Sequence, residues 1–495
     1  MTETAQSPTA HGAANPTAAG GAGVAAAPPT PRAGRAPVLS GAGLLALLLC
    51  AALPILDFFI VNVALPSMGR ELRAGPALLE LVVAGYGVAF AVLLVLGGRL
   101  GDTFGRRRLL LIAMTAFTLS SIACGLAPNA AVLVGARILQ GASAALLNPQ
   151  VLATLHATTS GDRRNRALSL YGAMAGLAMV AGQILGGLLV AADIGGAGWR
   201  AVFLVNGPVG VIAFILAWRT VPATRSDRPA PVDLAGTALL AITLTALLVP
   251  LSEGRAAGWP LWSWLCLAAC PIAAVALLVV ERRQERAGRL PLLPPSLFGF
   301  GGVRLGLGLI VPFSINFGGF MFVMAIALQQ GLRFGPVQAG LTLAPLAVTH
   351  LLASLVSPRL IGRFGSRVIQ VAASIHLIAL VVLGVTVLRG WPDLTALDFA
   401  PALALWGVAS GSQIPVFFRI VLADLPADRA GIGSGVLVTF QQASFALGAA
   451  VIGTLFLSLE TAQGDPGKAL AETVAALAAL VLLTLTLSTR LPRRL

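Results

Sequence analysis

Long apolar runs follow one another along almost the whole chain, broken only by short stretches holding charged residues or Pro/Gly. About fourteen of these runs approach or exceed the ~20 apolar residues that cross a hydrocarbon core. They fall at approximately 42–67, 78–98, 108–127, 131–156, 166–192, 199–219, 232–251, 261–281, 302–330, 336–358, 367–389, 398–422, 433–458 and 469–490. Backbone groups in lipid must be hydrogen-bonded within the protein, so such runs are expected to be helices. The expected fold is therefore an all-α polytopic membrane protein. Composition agrees: 57% of residues are hydrophobic and 11% charged, where soluble domains carry about 25% charge. Fifty-six glycines and thirty-one prolines would suggest disorder in a polar chain. Here they sit inside apolar runs, where membrane helices tolerate them. Collagen-like, disordered and disulfide-scaffold classes are excluded, and Cys50, Cys124, Cys266 and Cys270 read as unpaired packing residues.

A formal net charge of +14 points to nucleic acid when it forms one basic face, but here the arginines are scattered in short loops between spans. With the N-terminal tail inside, 23 of the 33 basic residues fall in cytoplasmic segments and seven in outside loops, while Arg137, Arg304 and Arg419 lie in or beside spans. That is the positive-inside asymmetry. An even number of spans returns the C-terminus to the cytoplasm, so both termini are expected there. One lysine, Lys468, against thirty-two arginines, with abundant Ala and Gly, is the bias of a GC-rich genome, and the expected location is a bacterial inner membrane. No nucleic-acid partner is expected.

Residues 1–38 are rich in Ala, Gly, Pro and Thr and lack the apolar content to fold; they read as a disordered cytoplasmic tail. The apolar run that follows is too long for a signal peptide. At an offset of 260 residues, Arg99, Leu100, Phe104, Gly105 and Arg107 fall opposite Arg359, Leu360, Phe364, Gly365 and Arg367. Both windows follow the second span of a six-span group, as a duplicated transporter core would place them. The expected organisation is a six-helix bundle at 39–221, two inserted helices with cytoplasmic linkers at 222–300, a second six-helix bundle at 301–490 and a cytoplasmic C-terminus at 491–495.

The loop Gly98-Arg99-Leu100-Gly101-Asp102-Thr103-Phe104-Gly105-Arg106-Arg107-Arg108 combines glycines that permit close helix approach and a tight turn with a carboxylate among arginines, the makings of a charged latch at the membrane surface. It resembles the G-x-L-a-D-x-x-G-r-k signature of the major facilitator superfamily. Leu56-Asp57-Phe58-Phe59-Ile60-Val61-Asn62-Val63-Ala64-Leu65-Pro66, Arg137-Ile138-Leu139-Gln140-Gly141 and the stretch from Trp199-Arg200 through Asn206 to Gly210 are similar to first-, fourth- and sixth-helix motifs of its fourteen-helix drug:proton antiporter branch (EmrB/QacA type). The fifth-helix antiporter motif is matched by Gly182-Gln183-Ile184-Leu185-Gly186-Gly187, with Gln183 where the branch has proline. Leu81 and Ala201 stand where the branch often has tryptophan. The resemblance implies two six-helix bundles rocking about a central cavity. It also implies export of amphipathic drugs or antibiotics in exchange for protons by a protein that functions as a monomer and needs no cofactor beyond the proton gradient.

Asp57 is the one carboxylate deep within an apolar run; Glu80, Asp102 and Asp424 lie near span ends. A charge at that depth opposes insertion by roughly 2.5–3.5 kcal/mol, so a functional role is the default expectation. Counting ~1.5 Å per residue from the span midpoints places Asp57 and Arg137 within about 6 Å of each other in depth. They are expected to pair, with Asp57 as proton carrier and Arg137 as its modulator; the alternative is a static ion pair joining two helices. Asn62, Gln140, Asn316, Phe317 and Gln441 are candidate cavity residues for an apolar ligand with a few hydrogen-bonding groups. His350 and His376 are given no coupling role.

No Walker loop, G-x-S-x-G elbow, His-Glu-x-x-His pair or Cys-x-x-Cys occurs, so neither enzymatic nor metal chemistry is expected. Two other readings remain: a carrier of an endogenous metabolite, and a non-transporting membrane sensor or scaffold. The second leaves the repeat and the buried Asp/Arg pair unexplained.

Overall fold

The structure is a computed structural model in which residues 39–225, 232–254, 257–426 and 429–491 are described. The expected disordered tail at 1–38 and the terminal residues 492–495 lie outside them. Among the described residues, fourteen helices are long and apolar enough to cross a membrane. They are α1 (Gly41–Leu72), α2 (Pro76–Phe104), α3 (Arg106–Gly125), α4 (Ala130–Thr158), α5 (Gly161–Ala192), α6 (Gly198–Thr220) and α7 (Leu234–Glu253). The rest are α8 (Leu261–Arg286), α9 (Gly301–Gly331), α10 (Pro336–Phe364), α11 (Arg367–Gly390), α12 (Ala396–Ala423), α13 (Ala430–Gln463) and α14 (Pro466–Ser488). Among the described residues there is no strand. The all-helical membrane fold expected from the apolar runs is the one observed.

Helix ends follow local chemistry. The Ser40 hydroxyl accepts from the Gly43 amide at the start of α1, Asn129 caps α4 through the Val132 amide, and Thr395 with Asp398 forms a reciprocal capping box on α12. Two spans are less regular than the sequence suggests. α6 begins with short turns at Gly198–Arg200 and Ala201–Leu204 before Asn206–Thr220, and α9 ends in a π turn at Ala327–Gly331.

Helix packing repeats with a shift of eight helices. α2 lies on α4, α3 on α4 and α6, and α1 on α5 and α6; correspondingly α10 lies on α12, α11 on α12 and α14, and α9 on α13 and α14. The seams between the two groups obey the same exchange, since α2 meets α13 and α10 meets α5. At the repeated loop, Phe104 and Phe364 both end a helix and are followed by Gly105 (φ 97°) and Gly365 (φ 58°). Positive φ is open to glycine without penalty, which explains why both copies keep it. The inserted pair is central in sequence but peripheral in space. α7 covers the α2–α13 seam, α8 packs on α7, and α8 is the least enclosed of the fourteen spans. No disulfide forms among the four cysteines; Cys50 and Cys124 are buried.

Candidate functional site

Asp57 lies midway along the 32-residue α1 and is fully buried, as is Arg137 on α4. The two form an ion pair through Asp57 Oδ2 and Arg137 Nη1. The other carboxylate oxygen, Oδ1, accepts from Gln140 Nε2 at 2.8 Å and from Asn206 Nδ2 at 2.7 Å. Arg137 donates further to Gln140 Oε1 (2.8 Å) and to the Val82 carbonyl of α2 (3.1 Å), and its guanidinium carbon lies 4.3 Å from the centroid of the Tyr86 ring. Asn206 also donates to Ser121 Oγ (3.0 Å), whose hydroxyl donates to the Phe203 carbonyl (2.9 Å). Three helices, α1, α4 and α6, therefore meet at the carboxylate, and α2 and α3 join the network through Arg137 and Asn206.

A buried ion pair is costly unless its remaining donors and acceptors are met. The amides of Gln140 and Asn206 meet those of the Asp57 carboxylate, whereas Arg137 Nη2 has no hydrogen-bond partner among the described residues. The spacing on α4 is what makes it possible. Residues three apart lie on one helix face, so Arg137 and Gln140 reach Asp57 side by side.

Close helix contact at this level depends on glycine. A Cβ on Gly141 would lie 2.3 Å from the Tyr86 carbonyl oxygen, and those on Gly182 and Gly186 of α5 would lie 2.8 and 2.9 Å from the Leu56 and Ile60 oxygens. Gly182 and Gly186 thus clamp α5 onto the stretch of α1 that holds Asp57, whereas Gly187 approaches the Pro336 carbonyl of α10 (2.6 Å). α5 is a continuous helix, as the absence of the motif proline favours; the Gln183 side chain lies outside the described residues.

Asp57 is followed on α1 by Phe58 and Phe59, which reach the second helix group. Phe58 meets Phe445 of α13 (centroids 6.1 Å apart) and Phe59 meets Phe317 of α9 (6.0 Å). Phe317 in turn packs on Trp406 (4.9 Å) and Phe445 (5.3 Å). The ion pair and this aromatic cluster are joined through adjacent residues of one helix. Of the expected cavity residues, Phe317 and Gln140 belong to these two clusters. Asn62 donates to the Phe58 carbonyl of its own helix (3.1 Å) and Asn316 to the Leu477 carbonyl of α14 (3.0 Å), so in this conformation both serve helix structure. Gln441 is partly buried on α13. His350 bonds Ser410 Oγ at 2.8 Å, and His376 lies 5.0 Å from Trp406, ring centre to ring centre.

The 98–108 stretch expected to be a loop is almost wholly helical: α2 runs on to Phe104 and α3 starts at Arg106, with only Gly105 between them. Asp102 and Arg106 form an ion pair at 2.9 Å one helical turn apart, and Arg106 donates to the Ala153 carbonyl of α4 at 3.3 Å. Arg107 donates to the Trp218 carbonyl of α6. Gly101 leaves room for the Gln150 amide, which donates to the Gly97 carbonyl at 2.8 Å. Gly98, expected to allow close approach, does not: a Cβ there would make an ordinary 3.8 Å contact with Pro149, whereas one on Gly97 would lie 2.6 Å from the Ala145 oxygen. The close approach falls one residue earlier because that face of α2 is the one turned to α4. Accordingly, Gly97→Ala should lower the midpoint of thermal unfolding in detergent by several degrees, while Gly98→Ala should leave it within about 1 °C.

Sequence reasoning missed Tyr86 and Ser121, and it named Asn206 within the sixth-helix motif without a role at the ion pair. Asn206 is a polar residue inside an apolar run, a signal that was visible; Tyr86 and Ser121 carry none. Buried carboxylates are also more numerous than expected. Glu80 near the start of α2, Asp233 at the cap of α7 and Glu281 near the end of α8 are all buried. Asp233 accepts from Gln284 and the Leu292 amide, and Glu281 from the Leu293 amide, while Arg99 donates to the Leu290 and Pro291 carbonyls. These bonds fasten the 290–293 linker to α2, α7 and α8.

Residues 47–449 match the model of the Major Facilitator Superfamily. The chain is 35% identical over 424 residues to the probable actinorhodin transporter of Streptomyces coelicolor, covering 85% of this chain and 73% of that one. It is 31% identical to the tetracenomycin C resistance and export protein of Streptomyces glaucescens, covering 84% and 76%. Among solved structures, the xylose transporter of E. coli in a partially occluded inward-open conformation superposes with a TM-score of 0.61 at 15% identity, covering 91% of this chain and 99% of that one. With its repeated helix packing and the residues it matches, the chain belongs to the major facilitator superfamily, as a multi-pass membrane protein of a family whose members carry small molecules.

Proposed function

We propose that this protein exports amphipathic antibiotics or drugs in exchange for protons by alternating access, with Asp57 as the proton site and Arg137 as its counter-ion. The observation that carries the reading is the buried Asp57–Arg137 pair, one residue from the aromatic contacts between the two helix groups. Relatives named for actinorhodin transport and tetracenomycin C export support the substrate class.

In the charged state, Asp57 holds α1, α4 and α6 together through Arg137, Gln140 and Asn206. A proton on Asp57 removes one partner of the ion pair and leaves Arg137 with the Gln140 oxygen and the Val82 carbonyl. α1 is then free to move against α4, carrying Phe58 and Phe59 along the faces of Phe445 and Phe317. Substrate bound among those rings favours one arrangement and the proton the other, which couples the two fluxes. The coupling uses only side chains of the chain and the proton gradient, in a single copy surrounded by lipid. Both termini and the loops rich in arginine face the cytoplasm of a bacterial cell.

One proton suffices. A potential of ~100 mV supplies about 2.3 kcal/mol per charge, and a one-unit pH gradient about 1.4 kcal/mol more. Together they sustain a gradient of roughly 500-fold for a neutral solute.

The test has two arms. Expression in a drug-sensitive bacterium should raise the inhibitory concentration of at least one amphipathic antibiotic in a panel. Adding that compound to acid-loaded inverted vesicles should alkalinise the lumen, read with a pH-sensitive dye. Proton movement with an endogenous metabolite and no resistance would identify a metabolite carrier, and neither response would leave a sensor or scaffold.

A further inference from the structure

At the end of the bundle where α2 stops and α3 starts, a cavity of about 480 Å³ opens between α3, the last turn of α6 and the segment that leaves it. Its walls carry three arginines, Arg107, Arg108 and Arg225, and, among the described residues, no acidic one. Arg107 is fixed by its bond to the Trp218 carbonyl. Arg108 and Arg225 are exposed and engage no carboxylate among the described residues. The far wall is built by pinning the segment after α6 to the start of α3, since the Arg106 amide donates to the Thr224 carbonyl at 3.0 Å. α3 begins here without a capping side chain or an acidic residue in its first turn, so its positive end adds to the field of the arginines.

The remaining wall is apolar and continues along the side of two apolar spans. Leu111 lies one turn down α3, and Trp218 (55% exposed) and Phe104 (60% exposed) flank the opening. Tryptophan at the end of a span belongs at headgroup level.

We propose that this cavity binds the headgroup phosphate of an anionic phospholipid. The phosphate sits among Arg107, Arg108 and Arg225, and an acyl chain descends past Trp218 and Leu111. A free phosphate would use the arginines alone and leave the aromatic rim without a role; a lipid uses both. Bridging α3 to the segment after α6, the lipid ties together helices that also carry Ser121 and Asn206 of the ion-pair site. The inference does not depend on what the protein transports.

The test uses the full-length protein, stripped of lipid in detergent and titrated with dioleoylphosphatidylglycerol, dioleoylphosphatidylethanolamine or inorganic phosphate. Binding is read by native mass spectrometry and by the shift of the unfolding midpoint. Each arginine near an anionic surface contributes the equivalent of about a five-fold change in affinity. Arg108→Gln with Arg225→Gln should therefore weaken phosphatidylglycerol binding about 30-fold, and Arg225→Gln alone, outside any helix, about five-fold. Arg282→Gln with Arg283→Gln removes the same charge from the exposed end of α8 and should leave binding within two-fold. Equal weakening by the two double variants would overturn the site in favour of general surface charge. So would equal binding of the two phospholipids by the unmodified protein, or stabilisation by inorganic phosphate matching that by phosphatidylglycerol.

Discussion

Asp57→Asn is expected to abolish proton-coupled export, lowering the rate at least 100-fold in proteoliposomes, while Asp57→Glu retains part of it. Asparagine keeps the shape and still accepts from Gln140 or Asn206, but it neither carries a proton under physiological conditions nor neutralises Arg137. Removing one member of a buried pair leaves the other unpaired, an effect of about 3–5 kcal/mol in soluble proteins. Yield and unfolding midpoint must therefore be measured alongside transport. Counterflow separates the two effects, since exchange of labelled for unlabelled substrate requires no net proton movement. A folded Asp57→Asn protein should bind and exchange substrate without alkalinising an acidic lumen. Full proton-coupled transport by that protein would remove Asp57 from the mechanism and leave the ion pair as a static brace.

Gly141→Ala should be the most damaging single-methyl substitution in α4. The added Cβ would meet the Tyr86 carbonyl oxygen at 2.3 Å and the Tyr86 Cα at 2.9 Å, and backbone atoms cannot rotate away. α2 and α4 would have to separate by about 1 Å or more, straining the bond from Arg137 to the Val82 carbonyl of α2. Overpacking of this kind costs about 1–3 kcal/mol or more. Gly135→Ala is the matched control, since a Cβ there meets nothing within 4 Å and alanine favours the helix by roughly 1 kcal/mol. The expected result is a large fall in unfolding midpoint and transport for Gly141→Ala and an unchanged or raised midpoint for Gly135→Ala. Similar behaviour of the two would mean that α2 and α4 are not in close contact near Arg137.

The parts of the site that were legible were those whose chemistry conflicts with their surroundings. Asp57 and Arg137 stand out because a charge in a lipid-length apolar run needs a partner, and counting residues from opposite membrane faces puts them at similar depth. Gln140 was legible as polar and one turn from Arg137, yet it was assigned to the cavity, whereas its amide is spent on the ion pair. Asn316 was polar in the same way, but its bond to the Leu477 carbonyl is an inter-helix contact. Polarity alone does not tell a ligand contact from a packing contact. Tyr86 and Ser121 gave no signal because aromatic rings and hydroxyls are common in membrane helices.

Glycine shows the same limit. The loop pattern singled out Gly98, but the position that needs a bare backbone is Gly97, because which face of α2 meets α4 depends on helix rotation rather than on spacing. Gly105 is different: its positive φ is a property of the local turn, and the sequence located it.

The sequence by itself determined the number of apolar spans, the duplicated plan and the burial of Asp57 and Arg137, because hydrophobic length and the free energy of a charge in lipid act residue by residue. The burial of Glu80, Asp233 and Glu281 near span ends came only with the tertiary structure. The tertiary structure alone decided that α4 and α6 both bond Asp57, that Phe58 and Phe59 link it to the second helix group, and that the inserted pair lies outside the α2–α13 seam. Those outcomes depend on helix rotation and on which faces fit together, and in lipid, where every apolar face is equally soluble, close packing and hydrogen bonds between helices make that choice.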